Sequence, residues 1–276
     1  MLMLIDILVT ILTLLVILLF LYFLAVQGRR DHPGLQDLRG WNYAHRGLHD
    51  EDKPENSMAA FRSALEKGYG IELDVHLLKD GNLAVFHDYM LERMTGAAGK
   101  IEELTTGQLK DYCLEGTQET IPTFQQVLDL YQGKAPLIVE LKSDGDNYAQ
   151  LAHMACNMLE DYSGVYCLES FDPRCIGWLR QNRPHLIRGQ LTENFFASKT
   201  STLPWYVKLA MTYQLLNFMV QPDFVAYKYR DRKKLGNFLV RRAWGVQGVA
   251  WTLKTPQEHE SAVQEGWIPI FEDYEP

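Results

Sequence analysis

The chain has 276 residues, 47% of them apolar and 22% charged, and a net charge of −8. This composition is that of a globular protein and excludes disordered, collagenous and disulfide-scaffold chains. The acidic balance disfavours a nucleic-acid partner, and no basic stripe offsets it.

From Ile7 to Val26 the chain reads ILVTILTLLVILLFLYFLAV, and Asp6 is the only charged residue before Arg29. At about 1.5 Å per helical residue this run is roughly 30 Å long, the thickness of a bilayer's hydrocarbon core. A signal peptide would begin with basic residues and have a shorter core; MLMLID is not basic, so residues 1–26 are expected to be a retained transmembrane anchor. Arg29, Arg30 and Arg39 follow the run and no basic residue precedes it, which favours a single-pass protein with a cytoplasmic main domain. Cys113, Cys156, Cys167 and Cys175 form no CxxC pair and read as reduced, mostly buried thiols, in keeping with that side. Residues 27–41, QGRRDHPGLQDLRGW, read as a linker, leaving 42–276 as one domain.

In that domain, candidate strands are Asn42–His45, Ile71–Val75, Leu137–Leu141, Val165–Glu169, Leu186–Gln190, Phe224–Tyr227, Val246–Trp251 and Trp267–Phe271. Helical patterns lie between most of them, at Ser57–Lys67, Thr123–Gln132, Asn147–Glu160, Pro173–Asn182, Asp231–Val240 and Pro256–Gln264. This alternation implies parallel strands with crossover helices, and eight strands favour a closed (β/α)8 barrel over an open doubly wound sheet. Two stretches interrupt it. Leu77–Phe86 has two apolar arms around Asp80-Gly81, which predicts a hairpin excursion from the end of the second strand. Thr200–Pro222 carries a single charge, Lys208, and belongs to an apolar insert at about 193–222. It reads either as an amphipathic helix over the barrel mouth or on a membrane surface, or as a core helix of the insert.

Chemistry in such a barrel sits at the carboxyl-terminal ends of the strands. His45 and Arg46 end the first strand, the hairpin returns to His87 and Asp88, and the third parallel strand ends at Glu140 and Lys142. Glu72 and Asp74 are two apart on one strand and share a face. Two interior carboxylates repel unless something positive lies between them. With Glu140 they form an all-oxygen set suited to Mg²⁺ or Ca²⁺ rather than zinc. Glu102, Glu103, Glu258 and Glu260 read as solvated surface. His32, His49, His153, His185 and His259 read as structural, and His76 stays open.

AHRG at 44–47, PEN at 54–56, ELDVH at 72–76, VFHD at 85–88 and ELK at 140–142, in this order, resemble the glycerophosphodiester phosphodiesterase family. SF at 170–171, AWT at 250–252 and EDYEP at 272–276 extend the resemblance over about residues 42–276. The family's closing motif commonly has threonine where Glu272 stands. The resemblance implies a TIM barrel with the hairpin excursion and assigns roles. Glu72, Asp74 and Glu140 would hold one divalent cation, His45 and His87 would be the acid and base, and Arg46 and Lys142 would contact phosphate. Asn56 matches a position near the site but equally reads as a helix cap with Ser57. Trp251 would touch the substrate's alcohol part or close the core.

The implied activity is hydrolysis of glycerophosphodiesters to glycerol phosphate and an alcohol. Attack by the neighbouring glycerol hydroxyl and attack by water are both open. Membrane relatives of the family act on lysophospholipids, so a lysophospholipase D reaction is the alternative, with membrane lipid reached through the anchor. A non-catalytic tethered binding module would be expected to lack an acid, base or ligand, and none is missing.

Overall fold

The structure is a computed structural model that describes residues 2–198 and 201–276. It begins with α1 (Leu2–Ala25) and a short α2 (Leu35–Leu38), followed by β1 (Tyr43–His45), α3 (Met58–Glu66), β2 (Gly70–Leu77), β3 (Leu83–Val85) and α4 (Glu92–Thr95). The middle of the chain forms α5 (Phe124–Tyr131), β4 (Leu137–Leu141), α6 (Tyr148–Glu160), β5 (Tyr166–Ser170), α7 (Pro173–Asn182) and β6 (Arg188–Thr192). The remainder forms α8 (Trp205–Thr212), α9 (Asn217–Val220), β7 (Phe224–Lys228), α10 (Leu235–Phe238), β8 (Gln247–Leu253), α11 (Pro256–Gln264) and β9 (Trp267–Phe271).

Eight strands pair in parallel in the order β1-β2-β4-β5-β6-β7-β8-β9, and β1 pairs back with β9, so the sheet closes as the expected (β/α)8 barrel. Local sequence sets many of the element ends. Ser57 accepts a hydrogen bond from Ala60 N and caps α3, Thr123 and Gln126 form a capping box on α5, and Pro173 and Pro256 occupy first turns. Side-chain alternation sorts each strand. Tyr43, Ile138, Cys167, Phe224, Val249 and Ile268 share one cluster, and Leu73, Val75, Val139, Leu141 and Leu168 share another, packed against the crossover helices.

The hairpin is present: β3 pairs antiparallel with β2, Val75 opposite Val85. It opens an excursion with its own small core, in which Leu78, Phe86, Leu91, Ile101 and Leu114 are buried. Three expectations shift. The strand predicted at Leu186–Gln190 is displaced to 188–192, because the buried Arg188 binds the carbonyls of Val220 and Gln221 and anchors the strand start. The helix predicted at Asp231–Val240 is instead a 3₁₀ turn at Tyr229–Asp231, then α10, then a π-helical turn at Leu239–Ala243. Its polar start is used elsewhere, since Asp231 accepts the backbone N–H of Asn194. The apolar stretch expected from Thr200 begins outside the described residues. The rest of it holds two helices, α8 and α9, separated by a turn at 213–216, with Trp205 and Tyr206 exposed.

Residues 2–21 of α1 are exposed and apolar, long enough to cross a membrane by length and composition. The segment after it, expected as a linker, packs onto the barrel. Leu35 and Leu38 join the cluster of Tyr43, and Tyr43 Oη donates to Leu38 O at 2.9 Å. The Arg29 guanidinium pairs with the fully buried carboxylate of Asp223 and donates to Leu186 O. Asp223 also accepts from Arg188 N at 2.9 Å.

Arg29→Ala strands a buried carboxylate and should lower the unfolding free energy by roughly 3 kcal/mol. Arg29→Lys should recover only part of this, because the two-pronged contact is lost. Denaturant titration of the detergent-solubilised protein reads both; a wild-type midpoint for Arg29→Ala would show that the segment is not held by this pair.

Candidate active site

The turn after β1 builds the first wall of the site. Arg46 and Asn56 both have left-handed backbone, φ 56° and 54°, and are joined by an Asn56 N to Arg46 O hydrogen bond of 2.9 Å. Non-glycine residues held this way mark a backbone over-determined by its surroundings. Gly47 follows at φ +85°, and a Cβ there would sit 2.9 Å from the backbone of Ala60, so the motif's glycine is required twice. The result is that His45, Arg46 and Asn56 converge on β2. Asn56 Nδ2 donates to Asp74 Oδ2 at 2.8 Å, and Arg46 Nε lies 3.4 Å from the same oxygen. Ser57, not Asn56, is the helix cap.

The alternation that pairs Glu72 with Asp74 on β2 also brings in Glu140, which sits opposite Asp74 in the β2–β4 register. All three are buried, with one carboxylate oxygen from each within 4.8 Å of the others. Lys142 Nζ reaches Asp74 Oδ1 at 3.1 Å and Glu140 Oε1 at 2.9 Å. Burial and the neighbouring Asp74 and Glu140 charges push the Glu72 carboxyl well up, and burial with Asp74 takes Glu140 to about 7 despite Lys142. Burial also opposes ionisation of Asp74, but Lys142, His87 and Arg46 hold its carboxyl well below the usual range. Hard oxygen donors carrying unrelieved repulsion suit one divalent cation, which would remove the penalty on Glu72 and Glu140. The donor set therefore fits such an ion.

His45 and His87 flank this group in matching ways. His45 Nδ1 lies 2.6 Å from Glu272 Oε2, and its Nε2 lies 3.8 Å from Glu72. His87 Nδ1 lies 2.6 Å from Asp88 Oδ1. Each carboxylate orients a ring and leaves Nε2 turned away from it. Burial, with Arg46 for His45 and Lys142 for His87, lowers both imidazole pKa values below 6.5, while Glu272 and Asp88 pull the other way. The carboxylates are themselves held. Lys254 binds Glu272 at 3.0 Å, and Arg93 bridges Asp88 and Glu55, each at 2.6 Å.

Several of these partners are not apparent from sequence. Glu272, a departure from the expected threonine, is the partner of His45. Glu169 on β5 lies opposite Glu140 in register, is 1% exposed, and its Oε2 has no hydrogen bond among the described residues. The same alternation that marks Glu72 within IELDV would have marked it within YCLES. Glu102 is not simply surface: it accepts from Asn147 and lies 3.2 Å from His76 Nδ1, while His76 Nε2 faces His87 O at 3.3 Å. His76 is thus a buried support of the His87 backbone. Trp251 is half-buried at the rim, edge-on to Phe171, with Lys228 Nζ 5.6 Å from its ring centre. Beside Glu140 and Lys142, a cleft of about 550 Å³ runs past Phe171 and Phe195 to Leu203, Val207 and Met211.

Comparison with known proteins agrees with this arrangement. A sequence model of the glycerophosphoryl diester phosphodiesterase family matches residues 45–274. A glycerophosphodiester phosphodiesterase of Caldanaerobacter subterraneus is 28% identical over 243 residues, covering 83% of this chain and 92% of that protein. Mouse glycerophosphodiester phosphodiesterase 1 is 27% identical over 250 residues, 78% of this chain and 72% of its own. In fold, the chain is similar to an Oleispira antarctica phosphodiesterase solved in complex with the product sn-glycerol-3-phosphate. That match has a TM-score of 0.71 at 21% identity and covers 89% of this chain and 96% of the other. With the motifs in order on a closed barrel and the family match spanning nearly all of it, the chain belongs to the glycerophosphoryl diester phosphodiesterase family and is an enzyme of that class.

Proposed function

We propose that the chain hydrolyses glycerophosphodiesters to glycerol phosphate and an alcohol, with His45 and His87 as the acid and base pair. The observation that carries this reading is the matched pair of histidine–carboxylate contacts, each 2.6 Å, on either side of a carboxylate cluster. With Nδ1 held by Glu272 or Asp88, each ring offers Nε2 to the reaction. One takes the proton of the attacking hydroxyl or water, and the other gives a proton to the departing alcohol oxygen. Arg46 and Lys142 place fixed positive charge where the phosphate oxygens gain negative charge. Asn56 fixes Asp74, and Trp251 borders the alcohol side. Glu72, Asp74 and Glu140 would hold one Mg²⁺ or Ca²⁺, which when bound supplies Lewis-acid stabilisation of the phosphoryl oxygens.

A second reading, release of a head group from a lysophospholipid, is favoured by one observation. The cleft next to Lys142 is walled largely by apolar side chains, an environment for an acyl chain and not for a glycerol head group alone. In this reading α1 is a membrane span and membrane lipid is the source of substrate.

Full-length protein should turn over glycerophosphocholine with added Mg²⁺ or Ca²⁺ and lose that activity in chelator. Product analysis on lysophosphatidylcholine separates the two readings: phosphate-bearing lipid and free choline support the second, and turnover of the soluble diester alone overturns it. His45→Ala and His87→Ala should each lower kcat at least about 10²-fold; unchanged turnover in either would refute the assigned pair.

Glu272→Gln tests the support of His45. Its carboxylate raises the imidazole pKa, so removing the charge lowers that pKa. The limb of the kcat/KM–pH profile that His45 controls should therefore move to lower pH while the other stays, with a rate loss of about tenfold or more. An unmoved profile would mean that Glu272 plays no electrostatic part.

A further inference from the structure

We propose that the carboxyl-terminal face of the barrel rests, on its β6–β8 side, on an anionic bilayer surface. Phe196, Trp205, Tyr206, Leu235 and Phe238 enter the head-group layer there. The inference rests on α1 as a membrane span and adds which face of the enzyme the membrane meets.

The direction of α1 carries the first part. Arg29 N donates to Pro222 O, just before β7, and Val26 is buried with Val225 and Val246, near the amino-terminal ends of β7 and β8. Four residues earlier, the Tyr22 hydroxyl lies against Gly236 in α10, where a Cβ would meet it at 2.7 Å and the carbonyl of Tyr213 at 3.0 Å. The end of α8, next to Tyr213, belongs to the carboxyl-terminal side: Thr192, the last residue of β6, donates to Met211 O, and Tyr227 donates to Thr212 O. Traced from Arg29 back to Tyr22, the chain therefore climbs the outside of the barrel from the amino-terminal face toward the mouth. The exposed remainder of α1, about 30 Å of helix, continues in that direction.

Beside that exit lies an apolar rim. Trp205 is 70% exposed, Tyr206 and Phe238 59%, Phe196 53% and Leu235 51%. Aromatic residues with one polar edge are the ones suited to the membrane–water boundary. The two parts of the rim are joined, because Asn194 N donates to Asp231 and Lys228 pairs with Glu193 at 2.6 Å.

Charge supplies the third argument. The run KYRDRKK at 228–234 holds five basic residues and one acid in a chain of net charge −8. Arg230, Lys233 and Lys234 have no ion pair among the described residues, and they flank Leu235. On the far side of the same face, past β1 and β4, Asp50, Asp144 and Asp146 are paired with Lys53, Lys100 and Arg174, and the acids Glu51 and Asp52 have no ion pair among the described residues. An anionic surface attracts the first side, whose unpaired charges are positive, more than the second, whose unpaired charges are negative, so the mouth tips onto the rim next to the apolar cleft.

The test uses full-length protein carrying Cys113→Ser, which removes the exposed thiol, reconstituted in phosphatidylcholine vesicles with and without phosphatidylglycerol. A nitroxide is placed at Tyr206→Cys or, at the amino-terminal face, at Lys134→Cys. A far-ultraviolet circular dichroism spectrum and a thermal transition unchanged from those of the unlabelled protein show that each labelled variant is folded. On vesicles containing phosphatidylglycerol, the ratio of oxygen to nickel-chelate accessibility at 206 should exceed that at 134 by at least about threefold. Lys233→Glu with Lys234→Glu should reduce the difference. If the protein floats with the vesicles after a carbonate wash but 206 is as aqueous as 134, the docking is wrong and the proposed hydrolysis is untouched. If it does not float, α1 is not a span and the inference falls with it. Protein that docks as expected yet hydrolyses no diester would sink the catalytic reading alone.

Discussion

Carboxylates packed inside a barrel are the constraint on which the rest of the site depends. Glu72, Asp74, Glu140 and Glu169 are all buried in the upper interior, where charge is expensive and like charges raise one another's pKa. Arg46 and Lys142 answer part of that charge, and both converge on Asp74. The carboxyls left protonation-prone are Glu72, Glu140 and Glu169, each pushed up by burial and by its neighbours. An interior so weighted toward negative charge is poised to take up a cation, and its two fixed positive groups lie against the carboxylates of Asp74 and Glu140. Storing repulsion and relieving it with ligand is one way a protein keeps a stable scaffold and a responsive site.

Much of the scaffold exists to hold the imidazoles against this field. Each is tied at Nδ1 to a carboxylate, and each carboxylate is tied to a cation, Lys254 for Glu272 and Arg93 for Asp88. Arg93 also grips Glu55, which pairs with Arg46 at 2.9 Å. The excursion after β2 thereby connects back to the turn after β1. Its separate core around Phe86, Leu91 and Ile101 gives Arg93 and His87 a firm base. The position of the His87 ring thus depends on this small core, whose buried residues do not line the cleft.

Period-two alternation made the strand interiors legible: Glu72 and Asp74 share a face because they are two apart, and the barrel follows from eight such strands separated by helices. The His45–Glu272 contact was not legible, because it spans 227 positions and depends on β9 closing against β1. Glu169 follows the same alternation rule within YCLES, and its place beside the cluster is set by its register opposite Glu140 on the neighbouring strand. The docking of residues 27–41 left little trace, since a four-residue helix has too short a period to register. The late start of α10 and the shift of β6 share one cause. Composition puts Asp231 at the start of a helix and Arg188 in the middle of a strand, while long-range partners decide where each element begins.

The last turn of α1 has a practical consequence for anyone handling this protein. Phe23 stacks on Trp244 and its carbonyl accepts the Trp244 indole N–H, while Val26 is fully buried with Val225 and Val246. The boundary between the exposed apolar helix and the barrel therefore does not fall where hydropathy ends. It runs through the helix, because its final turn is a piece of the barrel's outer wall. A soluble form cut after residue 26 would lose that piece and bare an apolar seam along β7 and β8, whereas one that begins a turn earlier would keep the wall whole.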